Sequence, residues 1–121
     1  MPKDFSRTRR VAEQLQRELA ILIQQELTDP RVKLVTVSAV ELSRDLKHAK
    51  VFITSLDDAH NHSEIVDAVQ HAAGFLQHEL GHRVRIRTIP RLHFAYDESI
   101  QRGSDLSALI DRAIKDDQQQ D

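Results

Sequence analysis

The segment running from Val35 to Thr54, VTVSAVELSRDLKHAKVFIT, decides how the chain folds. Val35, Val37 and Ala39 alternate with Thr36, Ser38 and Val40, the period of two expected of a strand that buries one face. Ser43-Arg44-Asp45-Leu46-Lys47 interrupts the pattern, and Ala49, Val51 and Ile53 resume it. Two antiparallel strands joined by a hairpin with a basic tip are therefore predicted.

Working upstream, Val11, Leu15, Leu19, Leu22, Ile23 and Leu27 recur at helical spacing, with Ser6 as the expected N-cap. Thr28-Asp29-Pro30 ends this long first helix, because proline lacks the amide donor and pushes the preceding residue out of helical geometry. Downstream, Asp57 to His62 is a polar loop. Ser63 is expected to cap a helix burying Ile65, Val66, Val69 and Ala72. Gly74 is read as a break between two short helices, the second carrying Phe75, Leu76 and Leu80 and ending at Gly81.

Beyond Gly81, alternation in Arg83-Val84-Arg85-Ile86-Arg87 predicts a third strand with three guanidiniums on one side. Leu92, Phe94 and Tyr96 continue it past Pro90, which confines it to a sheet edge or a bulge. Ile100, Leu106, Leu109, Ile110 and Ile114 suggest a final helix, with Gly103 near its start. The expected whole is an α+β domain over residues 1–115, with a three-stranded sheet covered by helices, followed by an acidic, unstructured tail over 116–121.

A chain of 121 residues suits one compact core. Cysteine is absent, which excludes disulfide and thiolate chemistry. No apolar run approaches the roughly 20 residues of a membrane span, so a cytoplasmic protein is expected. The formal net charge of -2 does not mark a nucleic-acid binder, for which the domain pI usually exceeds roughly 9. The distribution is more telling. From Gly81 to Tyr96 the charged side chains are Arg83, Arg85, Arg87 and Arg91, and Arg7, Arg9 and Arg10 cluster where a helix N-terminus gains nothing from cations. Arginine matches phosphate with a bidentate fork, and two-residue steps along a strand place such forks about 6.6 Å apart. Polar residues on a wet strand face are also ordinary. Arg44 and Lys47 at the hairpin tip are weaker candidates, since loops are polar anyway.

His78-Glu79-Leu80-Gly81-His82 matches the H-E-x-x-H signature of zinc peptidases. Its usual extension fails, because Arg85 and Thr88 stand where glycine and histidine belong. A helix ending at Gly81 would also spoil the shared face, although Glu98 could be proposed as third ligand. Surface histidines near a helix C-terminus are the favoured reading. His60-Asn61-His62 is expected to cap or solvate a loop. Asp57 with Asp58, and Asp116 with Asp117, read as solubilising carboxylates without the burial that perturbs protonation.

The predicted order of helix, two strands, helix, kink, helix and strand is similar to the type II KH fold, a single-stranded RNA-binding module. Arg10-Val11-Ala12, Asp29-Pro30-Arg31, Ser43-Arg44-Asp45-Leu46 and Ala49-Lys50-Val51-Phe52-Ile53-Thr54 resemble the ribosome-binding factor A family. So do Ala72-Ala73-Gly74, which looks like that family's Ala-x-Gly kink, the run from Arg85 to Phe94, Asp97-Glu98-Ser99 and Gly103. The resemblance spans nearly the whole chain. It implies a non-enzymatic, cofactor-free factor that binds the free 30S subunit and its 16S rRNA precursor late in assembly, supports maturation of the RNA 5′ end and matters most in the cold. It further implies a subunit-maturation GTPase as partner. Ala72, Ala73 and Gly74 replace the Gly-x-x-Gly RNA clamp of KH domains, and the methyl groups of Ala72 and Ala73 obstruct the close backbone approach glycine permits, so contact by charge and shape is expected. Monomeric behaviour is expected. The rival readings are a compact zinc metallopeptidase and a protein-interaction module whose open sheet edge or acidic C-terminal segment meets another chain.

Overall fold

A computed structural model describes residues 3–99, with side chains from Arg7 onward. Helix α1 spans Lys3–Glu26 and a 3₁₀ turn Pro30–Val32; strands β1 (Val35–Leu42) and β2 (His48–Ser55) follow. Helices α2 (His62–His71) and α3 (Ala73–Arg83) then lead to strand β3 (Arg91–Tyr96). The sheet has the order β1-β2-β3, with β1 antiparallel and β3 parallel to β2. This is the α+β arrangement expected. The predicted final helix, Gly103 and the 116–121 tail lie outside the described residues.

Leu15, Leu19, Leu22 and Ile23 of α1 are buried against the sheet, where Ala49, Val51 and Ile53 of β2 meet them. The helix begins at Lys3, so Ser6 lies inside it and is not its N-cap, and Arg7, Arg9 and Arg10 lie beyond its first turn. At the other end Asp29 caps the 3₁₀ turn. Its carboxylate accepts the Arg31 amide (2.9 Å) and two guanidinium nitrogens of the same residue. The Arg31 guanidinium, followed by its amide, holds Asp29 at about 2, below the ordinary carboxylate value of 3.8. A carboxylate depressed on folding adds stability that is complete above its unfolded value and disappears as pH falls through its folded one. Asp29→Asn is therefore expected to flatten the acid limb of stability between 3.8 and about 2. Because the pair is partly exposed, the effect read by urea titration should stay under about 1 kcal/mol.

The hairpin forms as predicted, with one change of phase. Val37 pairs with Ile53 and Ala39 with Phe52, leaving Ser38 as a bulge. The extra residue flips the alternation. Val35 and Val37 are buried, whereas beyond the bulge Val40 and Leu42 pack on the core in place of Ala39. The Gln16 amide of α1 donates to the carbonyls of Val37 and Ser38 and so fastens the bulge.

Asn61, not Ser63, caps α2. Its Oδ1 accepts the Glu64 amide (2.8 Å) while its Nδ2 donates to the Glu64 carboxylate (2.9 Å), a reciprocal box. The break between α2 and α3 falls at Ala72, and Gly74 lies within the first turn of α3. A Cβ added at Gly74 would meet nothing within 4 Å, so no close approach among the described residues requires glycine there. Helix α3 runs through Gly81 to Arg83 because Leu76 and Leu80, one turn apart, are both fully buried. The predicted strand over 83–87 is thus overturned: Arg83 is helical, residues 84–90 form a loop, and β3 starts at Arg91, directly after Pro90.

Strand β3 is an edge, as Pro90 implied, but its outer side is not open. Gln70 of α2 donates to the Leu92 carbonyl (3.0 Å) and accepts the Phe94 amide (2.8 Å), as a neighbouring strand's peptide would. Gln77 of α3 accepts the Leu92 amide. On the opposite edge Gln24 and Gln16 of α1 take the carbonyls of Val35 and Val37. A partner strand would have to displace these amides, which weighs against the sheet-edge interaction module. Gln70→Leu leaves two partly buried backbone groups unpaired and is expected to cost about 1–3 kcal/mol in urea unfolding.

Candidate nucleic-acid interface

Three segments far apart in sequence converge on one cavity of about 1080 Å³. Helix α1 supplies Arg7, Thr8, Val11 and Gln14; the hairpin supplies Leu42, Arg44, Asp45 and Leu46; the loop after α3 supplies Arg85 to Thr88. Four exposed guanidiniums, those of Arg7, Arg44, Arg85 and Arg87, thus meet over an aliphatic lining of Val11, Leu42, Leu46 and Ile86. None of the four belongs to the ion pairs among the described residues. Among the described residues, Asp45 is the one carboxylate in the lining. It accepts the Ser43 hydroxyl (2.7 Å) and the Lys47 amide (3.0 Å), which lower its protonation range in that order.

Local geometry fixes the hairpin tip. Ser43 and His48 close the loop through a 2.9 Å bond from the Ser43 amide to the His48 carbonyl, and the Leu46 amide donates back to the Ser43 carbonyl. Leu46 then takes φ 60, a left-handed conformation that costs a non-glycine residue about 1–2 kcal/mol. That strained residue lines the cavity.

The other sequence candidates are dispersed. Arg83 pairs with Glu18 of α1 at 3.1 Å, and Arg9 lies 3.5 Å from Glu13 one turn along. Arg10, Lys47 and Arg91 are exposed but outside the cavity lining. Ala72, Ala73 and Gly74 stand at the start of α3, whereas Arg85 and Arg87 follow its end, so the kink and the arginines are not brought together. The three arginines expected on one strand face therefore do not form a stripe. Two of them instead join Arg7 and Arg44. The aliphatic floor was not anticipated, and its only sequence signal is Leu46, an apolar residue in an otherwise polar tip.

His78 and His82 do share a helical face, with ring centroids 5.0 Å apart and edge to face. The reason drawn from an early helix end thus fails. What is lacking is a third ligand: among the described residues no group of three histidine or acidic side chains could hold a metal ion. Glu98 lies near His62 instead, at 3.6 Å. His62 also stacks on Tyr96, with centroids 3.5 Å apart. His60 hydrogen-bonds Asp57 at 2.8 Å. That bond, with the Ala59 amide second, lowers the Asp57 protonation range, so Asp57 is a loop-fastening carboxylate and not merely a solubilising one.

The family model for ribosome-binding factor A matches residues 7–110. Ribosome-binding factor A of Thioalkalivibrio sulfidiphilus is 55% identical over 120 residues, covering 99% of this chain and 93% of its own. That of Ectopseudomonas mendocina is also 55% identical, covering 97% and 93%. Among solved structures, the crystal structure of ribosome-binding factor A from Thermus thermophilus superposes with a TM-score of 0.70 at 35% identity, covering 76% of this chain and 97% of that one. A Thermus thermophilus ribosome-binding factor A homology model, fitted into the cryo-EM map of a 30S complex, gives 0.61 at 37% identity, covering 72% and 91%. With the family model matched over residues 7–110 and relatives 55% identical over nearly the whole chain, the chain belongs to the ribosome-binding factor A family.

Proposed function

We propose that the chain is a non-enzymatic assembly factor that binds the free 30S subunit through the phosphates of immature 16S rRNA and supports late maturation of the RNA 5′ end. The carrying observation is the convergence of Arg7, Arg44, Arg85 and Arg87 on one cavity, without a carboxylate ion-paired to any of them among the described residues. Clustered guanidiniums repel one another unless an anion lies between them, and phosphate oxygens suit their planar fork. The fitted 30S complex of the Thermus relative supports the choice of subunit. In this reading the factor acts as a cytoplasmic monomer, is needed most in the cold, and leaves the matured particle with the help of a subunit-maturation GTPase.

Sedimentation of a cell extract tests it. The chain should travel with free small subunits and not with translating ribosomes; uniform distribution at the top of the gradient would overturn the proposal. The metallopeptidase alternative keeps one specific support, the shared face of His78 and His82. Protein purified without added metal is expected to hold far less than one zinc per chain, and a stoichiometric content abolished by His82→Ala would reverse the order of the two readings.

A further inference from the structure

The sheet buries one face under the helices and leaves the other uncovered among the described residues. On that open face the parallel pairing of β2 and β3 sets His48 beside Arg91 and Lys50 beside His93. All four side chains are exposed. Steps of about 4.8 Å across strands and about 6.6 Å along them make a compact rectangle of basic groups. Two of its corners touch, with His48 Nδ1 3.0 Å from His93 Nε2. Neither Lys50 nor Arg91 belongs to an ion pair among the described residues, and Lys50 Nζ lies 5.1 Å from the Phe52 ring centroid. Among the described residues, Glu41 of β1, opposite Lys50 in the register, is the one carboxylate lining the shallow depression of about 340 Å³ that His48, Lys50 and His93 share, with Arg91 just outside its lining.

A wet strand face normally mixes its signs, because like charges directly opposite each other destabilise a sheet. Here Lys50 has Glu41 on the β1 side and His93 on the β3 side, while Arg91, on the edge strand, has His48 as its neighbour. An anion seated over the β2–β3 pair would meet the cations of Lys50 and Arg91 and the N–H donors of the imidazoles, and the spacing along the strands is roughly the interval between successive phosphates of an extended nucleic-acid strand. We propose that His48, Lys50, Arg91 and His93 form a second phosphate-binding surface, separate from the arginine cavity, that takes the sugar-phosphate backbone of ribosomal RNA. The proposal rests on the RNA-engaging reading of the chain. It adds that two surfaces engage RNA at once, with the β1–β2 hairpin standing between them.

The test uses the full chain and purified immature small subunits, with affinity measured over a salt series. Each neutralised phosphate contributes a slope of about 0.7 to 0.9 in log affinity against log salt. The exposed double variant Lys50→Ala/Arg91→Ala should lower the slope by about 1.4 to 1.8, with unfolding unchanged. Its loss should add to that of variants in the arginine cavity. A double variant with wild-type slope and affinity, alongside weakened cavity variants, would overturn this inference and leave the RNA reading standing. If the slope falls for an acidic polypeptide probe but not for subunits, the face meets protein and the inference also fails. If the unaltered chain is not retained by subunits at low salt, the RNA reading itself fails and takes this surface with it.

Discussion

Replacing Arg44, Arg85 and Arg87 together by alanine is expected to lower the salt slope of small-subunit binding by about two to three units, with affinity falling alongside. All three are exposed, line the same cavity and stand outside every ion pair among the described residues. Their removal should therefore shift unfolding by no more than about 0.5 kcal/mol. Arg83→Ala is the internal control. Its guanidinium is engaged with Glu18 at 3.1 Å, so it should leave the slope nearly unchanged while losing under about 1 kcal/mol of stability. Equal slopes for the triple variant and the unaltered chain would show that phosphate does not occupy the cavity. Had Arg83, Arg85 and Arg87 instead stood along one strand, as alternation alone suggested, Arg83 and Arg85 would be equivalent; the two variants separate those geometries.

That contrast marks what the sequence made legible. The hairpin could be read because Ala49, Val51 and Ile53 lie on a strand whose one face is fully buried, and burial enforces a period of two. The bulge at Ser38 could not, since the Gln16 side chain of another element fastens it. Arg83-Val84-Arg85-Ile86-Arg87 misled because a strand and a helix end running into a loop can both place valine and isoleucine inward. Burial of Leu76 and Leu80 decided for the helix, carrying it past a glycine that costs only about 1 kcal/mol there. Arginines were legible as residue types, but which of them meet depends on three chain segments arriving at one place. The open sheet face shows the same limit: His48 and His93 lie 45 residues apart, and only the parallel register of β2 and β3 makes them neighbours. Family membership was legible, because the Asp-Pro-Arg turn and the hairpin motif are local, and the structure gives each a local cause in the Asp29 cap and the Ser43–His48 closure.

The cavity is only as well formed as the helix that delivers its loop, and Leu80→Ala tests that dependence. Leu80 is fully buried in the last turns of α3, and its carbonyl accepts the Val84 amide at 2.9 Å, where the chain leaves for Arg85 and Arg87. Truncating a buried leucine removes its transfer free energy and leaves a cavity, together costing about 2–5 kcal/mol. For a domain of this size each kcal/mol moves the thermal midpoint by about 4–8 °C, so a fall of about 10 °C or more is expected. The urea midpoint should drop with an unchanged denaturant slope, as for a change in stability without loss of two-state unfolding. His78→Ala, on the exposed side of the same helix, should stay within about 0.5 kcal/mol. Subunit binding should weaken for Leu80→Ala even well below its midpoint, because the loop carrying two of the four guanidiniums is no longer held against the body. Full binding at low temperature would mean that the arginines reach their partner without a preformed cavity, and that the RNA itself organises the site.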